Sequence, residues 1–316
     1  MRKPAEIVLV VLFFLVAVFA GPAASLAQQA PAKKEVPYEV VRDVVYGRAG
    51  KRALHLDLYR PKHPAAEKLP VVVWIHGGGW RAGSKSSGKA VLPWFVRTGR
   101  YVGAAVEYRL TPEAIWPAQI HDCKAAIRWL RSNAARYGID PRRIGVIGGS
   151  AGGHLAALLG TSGGVASLEG ECGSPGHSSR VQAVVDFCGP TDLISIEEQK
   201  LLPPVRQLLV DFLGGPVKEK RSQAQAASPA NYITPDDPPV LLVHGTRDSI
   251  VPFQQAELFH RKLKAHGVEC YLYRIEGADH GIGGPHLFAE CLRFFDKCLW
   301  GKPSRFQDRT IPKDKQ

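Results

Sequence analysis

Hydrophobic positions fall into two periods along the chain. Leu69-Pro-Val-Val-Val-Trp-Ile75 is a continuous apolar run that stops at glycines, the pattern of a strand buried on both faces. Further strands are predicted over 101–106, 144–147, 181–187, 240–244 and 269–275. Residues 39–46 and 53–59 read as two further strands joined by a turn at 47–50. Between the runs the apolar spacing becomes helical. Over 116–137 it places Ile120, Cys123, Ile127 and Leu130 on one face, and Gly138 follows as a stop. Helices are also predicted over 88–98 (the weakest), from about 151 through Leu159, and over 253–265 and 286–299. Strands alternating with helices predict an α/β chain: a mainly parallel eight-stranded sheet, helices on both faces, and an opening hairpin as antiparallel edge.

Two stretches break the alternation. Residues 161–180, rich in Gly and Ser, read as a loop. Residues 190–235 read as an insertion after strand 6, over the sheet, with an apolar helix near 205–213. The N-terminus has its own pattern. Arg2 and Lys3 precede an apolar run from Ile7 to Ala20, and Ser25-Leu26-Ala27 suits cleavage. That run is short against the roughly 20 residues a membrane helix needs. The expected organisation is a signal peptide over 1–27, a linker over 28–38, one α/β domain over 39–300 and a polar tail over 301–316. A secreted or periplasmic protein with no stable membrane anchor follows from it.

Composition changes this picture little. The formal net charge is +12, but Lys and Arg are scattered and no basic helix carries interleaved aromatics, so a solvated basic surface is expected and no nucleic-acid site. The six cysteines contain no C-x-x-C, and no Cys/His spacing suits zinc, so no metal is expected. Oligomeric state is not legible.

The chemistry lies in four short segments. Gly148-Gly149-Ser150-Ala151-Gly152 matches G-x-S-x-G where a strand gives way to a helix. The tight turn demands small neighbours and pushes the Ser150 hydroxyl into the open, and the helix N-terminus favours a developing oxyanion. His76-Gly77-Gly78-Gly79-Trp80 follows strand 69–75 and suits an oxyanion loop. The N–H groups of Gly78, Gly79 and Ala151 are the expected donors, with His76 bracing the loop and not serving as a base. Gly77-x-Gly79-x-x-Ala82, with Glu107 ending the next strand, also fits a relaxed dinucleotide fingerprint. That reading leaves Ser150 unexplained and meets a poor helix start at Arg81-Ala-Gly-Ser.

A serine nucleophile needs a base, and the base an orienting carboxylate, in the chain order Ser, acid, His. Asp248 follows strand 240–244, and His280 follows strand 269–275. Both then stand at the C-terminal sheet edge where sites gather. Asp279 and Asp192 are rival acids. His121, His154, His177, His244, His260, His266 and His286 lack such company and read as structural.

HGGGW, GGSAGG, HGTRDSIVP and GADHG, in this order, together with Tyr108-Arg-Leu, Pro117-Ala-Gln and Gly189-Pro-Thr-Asp-Leu, resemble α/β-hydrolases of the hormone-sensitive-lipase-like group. Within it, the likeness is to exported bacterial feruloyl and acetyl-xylan esterases, over roughly residues 40–300. The resemblance implies a cofactor-free serine carboxylic-ester hydrolase with Ser150, Asp248 and His280 as triad, acting on small esters or on acetyl or feruloyl esters of plant-type polysaccharide. Many relatives carry a helical cap before the first strand. Only a short linker stands there in this chain, which implies a more open pocket. A prolyl-oligopeptidase-like peptidase, an arylformamidase and a non-catalytic binding module share the fold as alternatives. Cys270 begins the last strand and Cys298 ends the closing helix near the same sheet edge, so a disulfide between them is expected.

Overall fold

A computed structural model describes residues 35–315 apart from residue 200. The expected signal segment lies outside the described residues. Nine strands form one sheet: β1 Tyr38–Ala49, β2 Arg52–Pro61, β3 Leu69–Ile75, β4 Val102–Val106, β5 Ile139–Gly149, β6 Ala183–Phe187, β7 Val240–Gly245, β8 Cys270–Glu276 and β9 Arg309–Pro312. Their spatial order is β1-β2-β4-β3-β5-β6-β7-β8-β9. The hairpin β1–β2 and the β2–β4 pair are antiparallel, and every other neighbour is parallel.

The helices are α1 Gly88–Val91, α2 Pro93–Val96, α3 Ala118–Ser132, α4 Ala134–Tyr137, α5 Ala151–Thr161, α6 Ser195–Glu198, α7 Pro203–Leu213, α8 Arg221–Ala226, α9 Gln254–Ala265 and α10 Pro285–Trp300. Alternate strand residues feed two cores, as the pleat requires. Val71, Val73, Val146, Val184, Leu242 and Leu272 meet α3, α5 and α9 on one face. Val72, Ala105, Ile147, Val185, Leu241 and Tyr273 meet α1, α2 and α10 on the other. Side chains such as Phe294 and Phe295 are fully buried, each contributing roughly 1.5–3 kcal/mol relative to exposure. α6, α7 and α8 fall between β6 and β7, where the insertion was expected.

Two expectations need correction. The sheet has nine strands, not eight, because the segment 301–316 is more than a tail. Its Arg309–Pro312 adds to β8 in parallel, from Tyr273↔Arg309 to Glu276↔Pro312, and buries Ile311. Nor do Cys270 and Cys298 pair, since both are free thiols. Cys270 belongs to the core on the α9 face and its thiol donates to the His260 carbonyl at 3.7 Å, whereas Cys298 on α10 packs against the opposite core. The sheet lies between them.

The 162–182 segment is bound tightly to α3. Lys124, fully buried, donates to the Ser162 carbonyl at 2.6 Å and to Glu169 at 2.8 Å. Arg128 reaches Glu169 and the Cys172 carbonyl. β3, β5, β6, β7 and β8 run in one direction, so their C-terminal ends share one edge.

Candidate active site

Ser150 sits where β5 becomes α5, with φ +56° and ψ −121°. That backbone is costly for a residue with a Cβ, by about 1–3 kcal/mol, and close packing enforces it. A Cβ on Gly148 would come 2.1 Å from the Gly152 carbonyl oxygen, and one on Gly152 would come 2.1 Å from that of Ile75. The Ser150 N–H is tied to the Phe187 carbonyl at 2.7 Å, which anchors the turn to the end of β6. Trp80 (φ +56°) and Cys188 (φ +53°), two of the three other non-glycine residues with positive φ among those described, follow β3 and β6 at the same edge.

The glycine loop after β3 lies against this turn. A Cβ on Gly77 would meet the Gly149 carbonyl at 2.7 Å and Ser150 Cβ at 3.4 Å. Among the described residues, the backbone N–H groups of Gly78, Gly79 and Ala151 have no carbonyl partner. Gly79, with φ +60°, has Leu208 of α7 directly over it, 2.6 Å from where a Cβ would be, so the insertion roofs this loop. Behind the glycines, His76 is buried, stacks on Tyr108 at 4.3 Å and has Nδ1 2.8 Å from the Gly77 carbonyl. Burial pushes its pKa down to about 4. His76 is therefore a neutral donor to its own loop, which fits bracing and not base chemistry.

Trp80 closes the loop in a way the sequence did not signal. Its indole N–H donates to His154 Nδ1 at 3.2 Å, and its ring stacks on Phe212 of α7 at 4.3 Å. His154 Nε2 in turn lies 2.7 Å from the Ala227 carbonyl. The dinucleotide reading finds no matching helix here. A 3₁₀ turn at Lys85–Ser87 and the four-residue α1 follow, and Glu107 is bound to Arg52 at 2.7 Å.

His280 and Asp248 meet as expected. His280 Nδ1 lies 2.8 Å from Asp248 Oδ2, with the Asp248 side chain wholly out of solvent and that of His280 24% exposed. Asp248 Oδ1 accepts the N–H groups of Ile250 at 2.9 Å and Val251 at 2.8 Å. Burial pushes the Asp248 carboxyl up, but the hydrogen bonds from His244 and His280 outweigh it and hold the group well below the usual carboxylate range. An ionised Asp248 accepts a hydrogen bond from Nδ1–H, which keeps the proton on Nδ1 and leaves Nε2 of His280 as the accepting nitrogen. The Cys188 thiol, one residue beyond the anchor of Ser150, reaches the His280 carbonyl at 3.9 Å, so the His280 loop adjoins the serine turn.

The rival acids have other partners. Asp279 faces Ser249, accepting its N–H and hydroxyl at 2.8 Å each. Asp192 caps the N–H groups of Ile194 and Ser195. His244, read as structural, is the residue the sequence reading missed: its Nε2 is 3.1 Å from Asp248 Oδ2. The i, i+4 spacing in His244-Gly-Thr-Arg-Asp248 was the available signal. Cys188, His244 and Asp248 also form a group whose potential metal-ligating atoms lie within 4.8 Å of one another. Within that group four donors surround the Asp248 carboxylate, and His244 Nε2 faces two acceptors.

The family model BD-FAE matches residues 56–263. The chain belongs to the BD-FAE family. As an α/β-hydrolase of that family, it is similar over 86% of its length, at 30% identity and a TM-score of 0.77, to the whole of a truncated carbohydrate esterase from gut microbiota. It is likewise similar to a propionate-bound thermophilic esterase from the Planctomycetes species Thermogutta terrifontis, at 28% identity and a TM-score of 0.65, over 87% of this chain and 98% of that one. Among curated proteins, Esterase LipC of Mycobacterium tuberculosis is 35% identical over 248 residues, which are 76% of this chain and 59% of LipC. Esterase LipQ of the same organism is 32% identical, over 82% of this chain and 62% of LipQ. The chain thus spans about three fifths of the length of these two relatives.

Proposed function

We propose that the protein is a serine carboxylic-ester hydrolase in which Ser150 is the nucleophile, His280 the general base and acid, and Asp248 the orienting acid. The observation that carries this reading is the His280–Asp248 pair at 2.8 Å, on the sheet edge that also bears the strained Ser150 turn. His280 Nε2 takes the Ser150 proton as the hydroxyl oxygen attacks the ester carbonyl carbon. The oxyanion is held by the N–H groups of Gly78, Gly79 and Ala151, where one such donor is worth roughly 3 kcal/mol. The alcohol leaves with the proton from His280. Water then releases the acid by the same steps, with His280 again taking and returning a proton.

Acetyl or feruloyl esters of plant-type polysaccharide, or small esters, are the proposed substrates. Membership of the BD-FAE family and likeness to a carbohydrate esterase support that class. Export by the basic and apolar N-terminal segment would bring the enzyme to such polymers. A panel of acetylated xylan, methyl ferulate and short nitrophenyl esters, run beside Ser150→Ala, tests both parts. We expect release of acetate or ferulate by the wild type, and loss of at least about 10³ in kcat in the variant. Failure of a fluorophosphonate to label Ser150 in the folded protein would overturn the mechanism.

A further inference from the structure

We propose that His244 is a positioning residue for the catalytic pair, fixing the plane of the Asp248 carboxylate so that Oδ2 stays on His280. The inference rests on the roles given above to Asp248 and His280. His244 is the penultimate residue of β7 and 1% exposed, with its ring edge-on to Phe253 at 5.7 Å. Its Nε2 lies 2.8 Å from the Val251 carbonyl and 3.1 Å from Asp248 Oδ2. Both neighbours only accept, so Nε2 carries a hydrogen and the tautomer is set. A bare nitrogen there would face two oxygens in a buried site.

The geometry explains what that hydrogen does. The 248–251 turn holds Asp248 through Oδ1 alone, by the N–H groups of Ile250 and Val251. Two donors on one oxygen leave the carboxylate free to twist about its last torsion, and a twist carries Oδ2 away from His280. His244 stands on the Oδ2 side and closes that freedom. The same nitrogen grips the Val251 carbonyl, so the turn supplying the Oδ1 donors is fastened to β7 by the group that steadies Oδ2. With His280, each carboxylate oxygen then has two donors, and the orientation of the group is fixed before substrate arrives. Misplacement of a catalytic group by about 1 Å can cost about 10²-fold in rate.

Three variants test the idea. His244→Phe keeps ring volume and removes the N–H. His244→Gln offers an amide N–H near the position of Nε2. His244→Asn offers one that stops short, near Nδ1. We expect His244→Phe and His244→Asn to lose about 30-fold in kcat with KM within about twofold, and His244→Gln to recover most of the loss. The rate of Ser150 labelling by a fluorophosphonate should follow kcat. A purely structural role would lower the melting temperature without this ordering. Should His244→Phe not fold, the Gln and Asn variants carry the comparison. The low-field proton resonance of the His280 Nδ1–H reads the pair independently of turnover. It should persist in wild type and His244→Gln, and broaden or move in His244→Phe or His244→Asn. An unchanged resonance and unchanged kcat in those variants would overturn the proposal, as would equal losses for Gln and Asn. An unlabelled, inactive wild type that nevertheless shows the expected resonance pattern would refute the esterase mechanism and leave the positioning role standing.

Discussion

Two carboxylates are buried near adjacent strand ends, and they behave in opposite ways. Asp186, in β6, has one hydrogen-bond partner of note, the Gly189 N–H at 2.8 Å, and Oδ1 lies 2.2 Å from where a Cβ on Gly153 would be. Burial pushes its carboxyl up to about 6, against the opposing pull of the nearby His244. Asp248, just past β7, is withdrawn from water as well, yet four donors hold it well below the usual range. Burial alone therefore does not set the charge of a carboxylate at this edge. Donor count decides whether a desolvated carboxylate keeps its charge, and only the charged one can orient an imidazole.

The sharpest way to break this contrast is Asp248→Asn. The Asn oxygen can keep the Ile250 and Val251 N–H groups, so folding should survive. Its amide nitrogen would then face His280 Nδ1 with a hydrogen, forcing the proton to Nε2 and leaving nothing to accept the Ser150 proton. If the proposed mechanism holds, kcat falls by about 10⁴ on any ester that the wild type cleaves. Near-normal turnover in a folded Asp248→Asn protein would move the acid role elsewhere.

Asp186→Asn should act on stability. The folded pKa of Asp186, about 6, lies above the unfolded value of 3.8. The fold therefore prefers the protonated acid. That stability is fully present below about pH 4 and is lost as pH rises through 6, reaching about 3 kcal/mol at 1.36 kcal/mol per unit. An Asn cannot ionise and still accepts from Gly189. Urea unfolding at pH 4.5 and at pH 8 should show wild type losing ground to Asp186→Asn as pH rises, with kcat changed less than about tenfold. Parallel pH dependence in the two proteins would show that Asp186 keeps an ordinary pKa.

How much of this was legible depends on whether a residue's neighbours are close in sequence. The central strands were legible because burial on both faces leaves an unbroken apolar run, as in Leu69–Ile75. Ser150, Asp248 and His280 stood out in the sequence because each lies in a turn just past an expected strand, in the order Ser, acid, His. β9 was not, because four residues with only Ile311 buried carry too little pattern. The Cys270–Cys298 expectation failed on a parity that topology alone does not give: a strand residue's face is set by the period of two, and Cys270 points to α9. The buried pairings Trp80–His154 and His244–Asp248 join residues whose roles appear only once the chain is folded.

The third carboxylate makes the smallest and most discriminating case. Asp279 is exposed and adjoins His280 in sequence, yet it serves a different purpose. Its Oδ1 accepts the Ser249 N–H at 2.8 Å and the His280 N–H at 2.7 Å, tying the backbone of the loop after β7 to that of the loop after β8. Burial pushes its carboxyl up, but those backbone donors and the Ser249 hydroxyl together outweigh it and hold the group below its ordinary value. Asp279→Asn can retain both backbone bonds through its oxygen, so kcat should change less than about threefold. Asp279→Ala removes the tie and should cost more, though an exposed hydrogen bond is worth only about 1 kcal/mol. If Asp279→Asn instead falls as far as Asp248→Asn, charge at Asp279 is needed for turnover, and the division between an acid that orients the ring and one that only joins the loops does not hold.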